Sequence, residues 1–425
     1  MSPDGDMRRR GGSQFFQPDR EDSAMEQLFT AAALWLAFAL LSALLAAKLR
    51  LSVALVEICM GVAVAACAGW LNLEELLALN SEWVRFLAST GAVVLTFLAG
   101  TELDPDAIRI KWTEVSVVGF VGFLAPFLGC AAIAYYGLGW NPQASLLCGV
   151  ALSTTSMAVV YAVMLETGFN KTEFGKGILG SCFTNDLGTV VVLGLLFAPF
   201  TYKTGMFIVA GAAVLAVLPV MTDWLTRQYA YRTAAIRTKW VMLILFALGA
   251  LALWSGSEAV LPAYLAGMVL AGSAARDTHW IRRLRTLTVG FLTPFYFIRA
   301  GTLVSMPALL AAPVVFLVLI MGKVLFKICG LYPVIGLFRQ ERTERWYYTL
   351  LMSTGLTFGT ISALYGLSHD IVTKEQYSFL VAAVIASAVV PTAIAEYLFV
   401  PVHLLPKEAV PGKHARRLNG LGDEG

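Results

Sequence analysis

Asp186 lies in the run Gly180-Ser-Cys-Phe-Thr-Asn-Asp-Leu-Gly-Thr189, deep within an apolar stretch. A charged side chain at the centre of a membrane helix costs about 2.5–3.5 kcal/mol on insertion scales, so a carboxylate there needs a chemical reason. Asn or Ser would serve packing more cheaply. A carboxylate can hold a proton or a cation, and desolvation disfavours it when it holds neither. Asn185 and then Thr184 precede it, and Asn185 offers a neutral oxygen. Lys323 and Lys327, in Met321-Gly-Lys-Val-Leu-Phe-Lys-Ile-Cys-Gly330, also fall in an apolar stretch and share a helix face at i and i+4. Lys323 is the deeper and better placed to meet a buried partner, whereas Lys327 is placed to snorkel to the interface. Arg299, in Pro294-Phe-Tyr-Phe-Ile-Arg-Ala-Gly301, fits an interfacial anchor or a buried counter-charge. Glu57 and Glu258 each fit a helix-end acceptor or a site residue, and Glu102 and Asp104 read as interfacial.

Two hydroxyl-rich runs supply the neutral oxygens. Ser153-Thr-Thr-Ser156 is four small hydroxyl residues in mid-span, and such side chains compete for backbone groups and weaken a helix. Ser353-Thr-Gly-Leu-Thr-Phe-Gly-Thr360 adds two glycines. Small-residue helix packing would explain either run alone. Interrupted helices at matching places in two halves point instead to a transporter site, where freed carbonyls and half-helix ends can meet an ion.

The elements that must carry these residues are membrane helices. Of 425 residues, 58% are hydrophobic and 14% charged, against roughly 25% charged in a soluble domain. The net charge of +3 gives no reason to expect a nucleic-acid partner. A span needs about 20 residues. Apolar runs suited to it fall near 28–47, 51–70, 84–101, 114–136, 143–165, 174–200, 205–221, 238–254, 259–275, 285–301, 306–335, 347–367 and 376–401, thirteen in all. Residues 1–27 read as a disordered tail, 28–405 as the transmembrane domain and 406–425 as a basic cytoplasmic tail. No connection is long enough for an extramembrane domain.

Basic residues set the orientation. The loops on the side of the first connection carry Lys48, Arg50, Arg109, Lys111, Arg227, Arg237, Arg282 and Arg339 among others, and the opposite loops only Arg85, Lys203 and Lys374, to which the N-terminal tail adds four more. The basic side is therefore cytoplasmic, which puts the N-terminus outside and the C-terminus inside. Spans 4–6 and 11–13 each end in a broken span followed by a final one, and seven spans separate them. They read as two copies of one unit in opposite orientation, an inverted repeat. The six cysteines (Cys59, Cys67, Cys130, Cys148, Cys182, Cys329) form no CxxC pair and read as membrane-buried small residues, and His279, His369, His403 and His414 show no metal spacing. A membrane enzyme is disfavoured for that reason. A cation channel and a carrier of a small organic solute on a related fold remain as alternatives.

Several stretches together resemble the monovalent cation/proton antiporters, in the branch of Kef-type potassium and Nap-type sodium exchangers. They are Phe97-Leu-Ala-Gly-Thr-Glu-Leu-Asp-Pro105, Ala151-Leu-Ser-Thr-Thr-Ser156, Thr184-Asn-Asp186, Ala263-Tyr-Leu-Ala-Gly267, Pro294-Phe-Tyr-Phe297, Ser353 to Gly359 and Val389-Val-Pro-Thr392. The resemblance implies an all-α fold of crossed broken helices in a core domain, a separate dimerisation domain and a homodimer in lipid. It implies exchange of sodium or potassium for protons by alternating access, with Asp186 holding cation and proton in turn. Asn185, Ser153, Thr154, Thr155 and Thr357 would supply neutral oxygens, and Lys323, Arg299 and Glu57 are possible charge partners. Asn185 stands where electrogenic members carry a second Asp, which implies one proton per cation. No cofactor and no metal beyond the transported cation are implied, and the setting is a cell membrane, the bacterial inner membrane in particular.

Overall fold

The computed structural model describes residues 20–49, 53–71, 77–79, 81–101, 111–169, 172–197, 201–229, 235–257 and 259–405. Glu102, Asp104, Glu258 and the C-terminal tail expected at 406–425 lie outside them. Helix is the only regular structure among the described residues. In chain order the first seven helices are α1 (Arg20–Leu49), α2 (Val53–Leu71), α3 (Glu82–Thr101), α4 (Trp112–Ala132, continued by a π turn Ile133–Gly137), α5 (Pro142–Ser153), α6 (Met157–Thr167) and α7 (Glu173–Phe197). Then come α8 (Tyr202–Tyr229), α9 (Ile236–Trp254), α10 (Val260–Arg276), α11 (Thr278–Leu287) and, after a π turn at Thr288–Leu292, α12 (Thr293–Thr302). The last are α13 (Met306–Ala311), α14 (Pro313–Ile335), α15 (Arg342–Met352), α16 (Thr357–Ser368) and α17 (Lys374–Leu398).

Each of the thirteen apolar runs falls on one of these helices or on a broken pair. Among the described residues, nine helices are long and apolar enough to cross a membrane, and 53–68, 142–153 and 260–276 are shorter apolar helices. The chain is thus an all-α, multi-pass membrane protein. Three boundaries differ from the sequence expectation. The first helix begins at Arg20, inside the segment expected to be a tail. The tenth span is entered through α11, whose Trp280 and Leu284 are buried while Arg282 and Arg283 are exposed, so an amphipathic turn lies against the body before the apolar run starts. The eleventh begins at Pro313, because α13 is a separate short helix capped by the Ser305 side chain on the Ala308 amide.

The largest buried cluster is built on α4–α7 and α14–α17, and a second on α3 and α8–α11. Between membrane helices, apolar burial gives little net drive, so close backbone approach through small residues carries much of the packing. Two reciprocal glycine pairs show this. A Cβ on Gly61 (α2) would strike the Ile298 carbonyl of α12, and one on Gly301 (α12) the Ile58 carbonyl of α2. A Cβ on Gly100 (α3) would strike the Tyr264 carbonyl of α10, and one on Gly267 (α10) the Phe97 carbonyl of α3. The second span thus packs on the tenth, and the third on the ninth. Those contacts are exchanged when the inverted repeat of spans 4–6 and 11–13 is extended to the two spans before each, so the repeat is broader than the sequence suggested.

The crowding has a measurable consequence. Gly267→Ala is expected to destabilise the protein by about 1–3 kcal/mol, the usual cost of overpacking. Gly272→Ala on the same helix, where a Cβ meets nothing within 4 Å, should be neutral. Thermal unfolding of the two purified variants in detergent checks this, and equal midpoints would refute the packing argument.

A candidate ion site where two broken helices cross

Residues 154–156 separate α5 from α6, and residues 353–356 separate α15 from α16. Thr154 is extended (φ −63°, ψ 151°), and Leu356 is also non-helical (φ −153°, ψ −75°). The hydroxyls fold back to close the helix ends. Ser153 Oγ donates to the Val150 carbonyl at 2.8 Å, and Thr154 Oγ1 to Ala151 at 3.0 Å. In the second break Ser353 Oγ donates to Thr349 at 2.7 Å, and Thr354 Oγ1 to Leu351 at 2.8 Å. This is the side-chain competition that weakens a hydroxyl-rich helix. The breaks also hold each other: Thr155 Oγ1 donates to the Met352 carbonyl at 2.9 Å, and the Ser156 amide to the Thr354 carbonyl at 3.2 Å. The C-terminal ends of α5 and α15 therefore converge, each with carbonyls that its own helix leaves unpaired and a partial negative charge.

Both lysines of α14 answer that charge. Lys323 Nζ donates to the Thr154 carbonyl at 3.3 Å, and Lys327 Nζ to Thr155 Oγ1 at 3.0 Å. Each is 0% exposed. This corrects the expectation for Lys327: it does not reach the interface but sits at the first break. Among the described residues no Lys or Arg nitrogen lies within 4.0 Å of the Asp186 carboxylate, and Lys323 meets a carbonyl and no carboxylate. Gly355 leaves room for it, since a Cβ there would fall on Lys323 Nζ.

Asp186 is the fourteenth of the 25 residues of α7, the middle of the helix. Gly119 and Gly122 on α4 let this stretch approach: a Cβ on Gly119 would collide with Thr184, and one on Gly122 would lie 3.5 Å from Asn185 Nδ2. Asp186 is 1% exposed, and its Oδ1 has no hydrogen-bond donor. Asn185 Nδ2 donates to the Ser153 carbonyl at 3.4 Å, which ties α7 to the first break, and Asn185 Oδ1 has no donor either. Buried polar oxygens are nearly always paired. Two such oxygens on adjacent residues, beside a break rich in hydroxyls, suit a proton or a small cation.

Of the expected site residues, the structure gathers Asn185, Asp186, Ser153, Thr154, Thr155 and Lys323 around the crossing, and it adds Lys327, which was expected at the interface. Thr357 opens α16 at the second break, where its carbonyl accepts from Thr360 Oγ1 at 3.1 Å, and no hydrogen bond joins it to Asp186. Arg299 and Glu57 are not brought there. Arg299 lines a different cavity, and Glu57, 2% exposed, lies on α2, which packs on α12. Sequence reasoning missed two residues. Ser387 of α17 donates to the Val384 carbonyl at 2.7 Å and approaches the Gly355 carbonyl at 3.5 Å. Tyr264 of α10 donates to the Phe183 carbonyl at 3.2 Å, stacks on the Phe183 ring and receives the edge of Phe358. The Ala263-Tyr-Leu-Ala-Gly267 run carried a family resemblance but no hint of this contact.

A family model described as "Sodium/hydrogen exchanger, transmembrane" matches residues 36–400. The chain belongs to this family. It is a family of membrane exchangers, not of enzymes, so the membrane-enzyme alternative falls away. The chain is 23% identical over 333 residues to a "Probable Na(+)/H(+) antiporter 3" of Methanocaldococcus jannaschii, covering 75% of this chain and 84% of that one. It is 25% identical over 304 residues to the "Glutathione-regulated potassium-efflux system protein KefC" of Escherichia fergusonii. That match covers 67% of this chain but 47% of the relative, so the exchanger chain spans about half that relative's length. The structure of the sodium proton antiporter MjNhaP1 from Methanocaldococcus jannaschii superposes with a TM-score of 0.64 at 14% identity, covering 88% of this chain and 97% of that one. The fold is shared.

Proposed function

We propose that this protein exchanges a monovalent cation, sodium or potassium, for protons, one for one, and that Asp186 holds each in turn. The observation that carries the reading is the buried Asp186 carboxylate with an unpartnered oxygen, beside two broken helices. Sodium and potassium are both named because the relatives are a probable sodium/proton antiporter and a potassium-efflux protein.

The physics of exchange follows from burial. An ionised carboxylate is costly in a medium of low dielectric, and a bound proton or cation neutralises it. Loaded forms can cross the apolar barrier while the empty ion cannot, so the two ligands exchange and do not leak. Asn185 Oδ1 and the oxygens of Ser153, Thr154, Thr155 and Thr357 are the neutral ligands proposed for the cation. Strict one-for-one exchange is supported by Asn185, which has no charge to release, and by Lys323, whose partner is the Thr154 carbonyl and not an acid. The Phe183, Tyr264 and Phe358 rings pack on one another, and we assign them to the barrier between the site and one side of the membrane. The proposal includes a homodimer in a bacterial inner membrane, with the N-terminus outside and the C-terminus cytoplasmic.

Purified protein in proteoliposomes tests the stoichiometry. Sodium-driven proton movement should keep its initial rate when an interior-negative potential is imposed, and a rate that follows the potential would refute one-for-one exchange.

Lys327→Met removes the ammonium that donates to Thr155 Oγ1 at the first break. Exchange should fall by about tenfold or more, as expected when a buried hydrogen bond from a charged group is lost. Transport rates normalised to the amount of protein check this. An unchanged rate would show that Lys327 only packs.

A further inference from the structure

We propose that a second cavity, separate from the helix crossing, binds a small oxyanion, a carboxylate or a phosphate, between Arg85 and Arg299. The cavity has a volume of about 470 Å³ and is walled chiefly by α3, α12 and α16. Pockets for small molecules run from roughly 300 to 1,000 Å³. Arg85 lies in the first turn of α3, Arg299 on α12, and His369 directly after α16. Arg85 and His369 are exposed and Arg299 is half-buried. The described residues that line the cavity include no Asp or Glu.

The charges make the case. The two guanidinium groups line the same cavity and carry like charge. Among the described residues neither has an ion pair or hydrogen-bond partner. Two cations sharing a partly desolvated cavity repel each other, and an anion between them reverses the sign of that interaction. The planar fork of Arg matches the two oxygens of a carboxylate or phosphate, and such charge-assisted pairs are among the stronger hydrogen bonds. His369 adds a third group. Its Nδ1 faces the Tyr365 carbonyl at 3.0 Å and its ring lies on Tyr365 with centroids 4.1 Å apart, which leaves Nε2 for a ligand. Ile361 and Leu364 give one wall an apolar character, so a short carbon body on the anion is accommodated. Chloride shares the charge but lacks the paired oxygens that match each planar fork.

Position adds a consequence. Arg85 and Arg299 lie on α3 and α12, whereas His369 follows α16. An oxyanion held by all three ties these helices together and stabilises the folded protein by linkage. The site does not depend on the exchange reading, because it uses no residue of the crossing.

The test is thermal unfolding of the full chain in detergent, titrated with sodium phosphate and with sodium succinate against sodium chloride at matched ionic strength. A parallel titration compares short-chain phosphatidic acid with phosphatidylcholine. The expected result is a saturable rise in the midpoint with phosphate or succinate, and a half-effect concentration raised about tenfold or more in R85Q and in R299Q. Because Arg85 is exposed, R85Q keeps the test decisive if R299Q fails to fold. A saturable response confined to phosphatidic acid, and lost in R85Q, assigns the oxyanion to a lipid headgroup. A midpoint that no oxyanion moves beyond chloride, or a response that survives both substitutions, overturns the proposal.

Discussion

Gly355→Ala is expected to lower cation–proton exchange by about tenfold or more, the equivalent of 1.4 kcal/mol, while the protein still reaches the membrane. Gly355 lies within the second break. A Cβ there would fall on Lys323 Nζ and come within 3.1 Å of Thr154 Oγ1 and 3.2 Å of Ser387 Oγ. The end of a lysine can usually swing aside, but this one is buried and bonded to the Thr154 carbonyl. Displacing it leaves both an ammonium and a carbonyl unpaired in a low-dielectric interior. Overpacking alone costs about 1–3 kcal/mol, and stranding a buried charge costs about 3–5 kcal/mol. The strain is released where the ends of α5 and α15 meet, next to Asn185. The matched control is Gly205→Ala on α8, where a Cβ meets nothing within 4 Å. Transport in inverted vesicles, normalised to the amount of protein, should separate the two variants. Equal rates would mean that the crossing tolerates distortion and that the tight fit at Gly355 has no functional weight.

The residues legible in the sequence were those that a membrane makes expensive. Asp186 stood out because a carboxylate in mid-span is costly, and the two hydroxyl-rich runs because they weaken a helix where nothing else does. Both runs are breaks, and they lie against each other through Thr155 and Met352. Lys327 was misread for a physical reason. Whether a lysine one turn from another snorkels or turns inward depends on what faces it, and the end of α5 arrives from a segment more than 150 residues earlier in the chain. The contact of Tyr264 with Phe183 and the glycine pairs Gly61 with Gly301 and Gly100 with Gly267 were hidden for the same reason: sequence spacing shows a small residue but not the helix it admits. Helix ends were blurred where amphipathic turns run into apolar ones, as at Thr278 before the tenth span. Arg299 read equally well as an anchor or as a counter-charge, and the structure places it in a cavity of its own with Arg85.

Asp186→Asn is the other substitution with a large expected effect. It keeps the shape of the side chain and removes the charge that a proton or cation must neutralise. The amide adds a donor where an oxygen now has none, so stability should hold or rise while exchange is lost. Asn185→Asp would be informative beside it, since a second acid next to Asp186 gives the pair a further proton to release. That variant should make transport respond to an imposed potential if charge at position 185 governs stoichiometry.

The most direct test of the central claim is the collapse of a preformed pH gradient in inverted vesicles on addition of sodium, potassium or lithium, with wild-type protein and Asp186→Asn at equal expression. The account predicts that at least one of these cations dissipates the gradient in the wild type, which names the ion, and that none does so in the variant. Failure of all three with well-expressed wild type, or an Asp186→Asn variant as active as the wild type, would contradict exchange centred on Asp186.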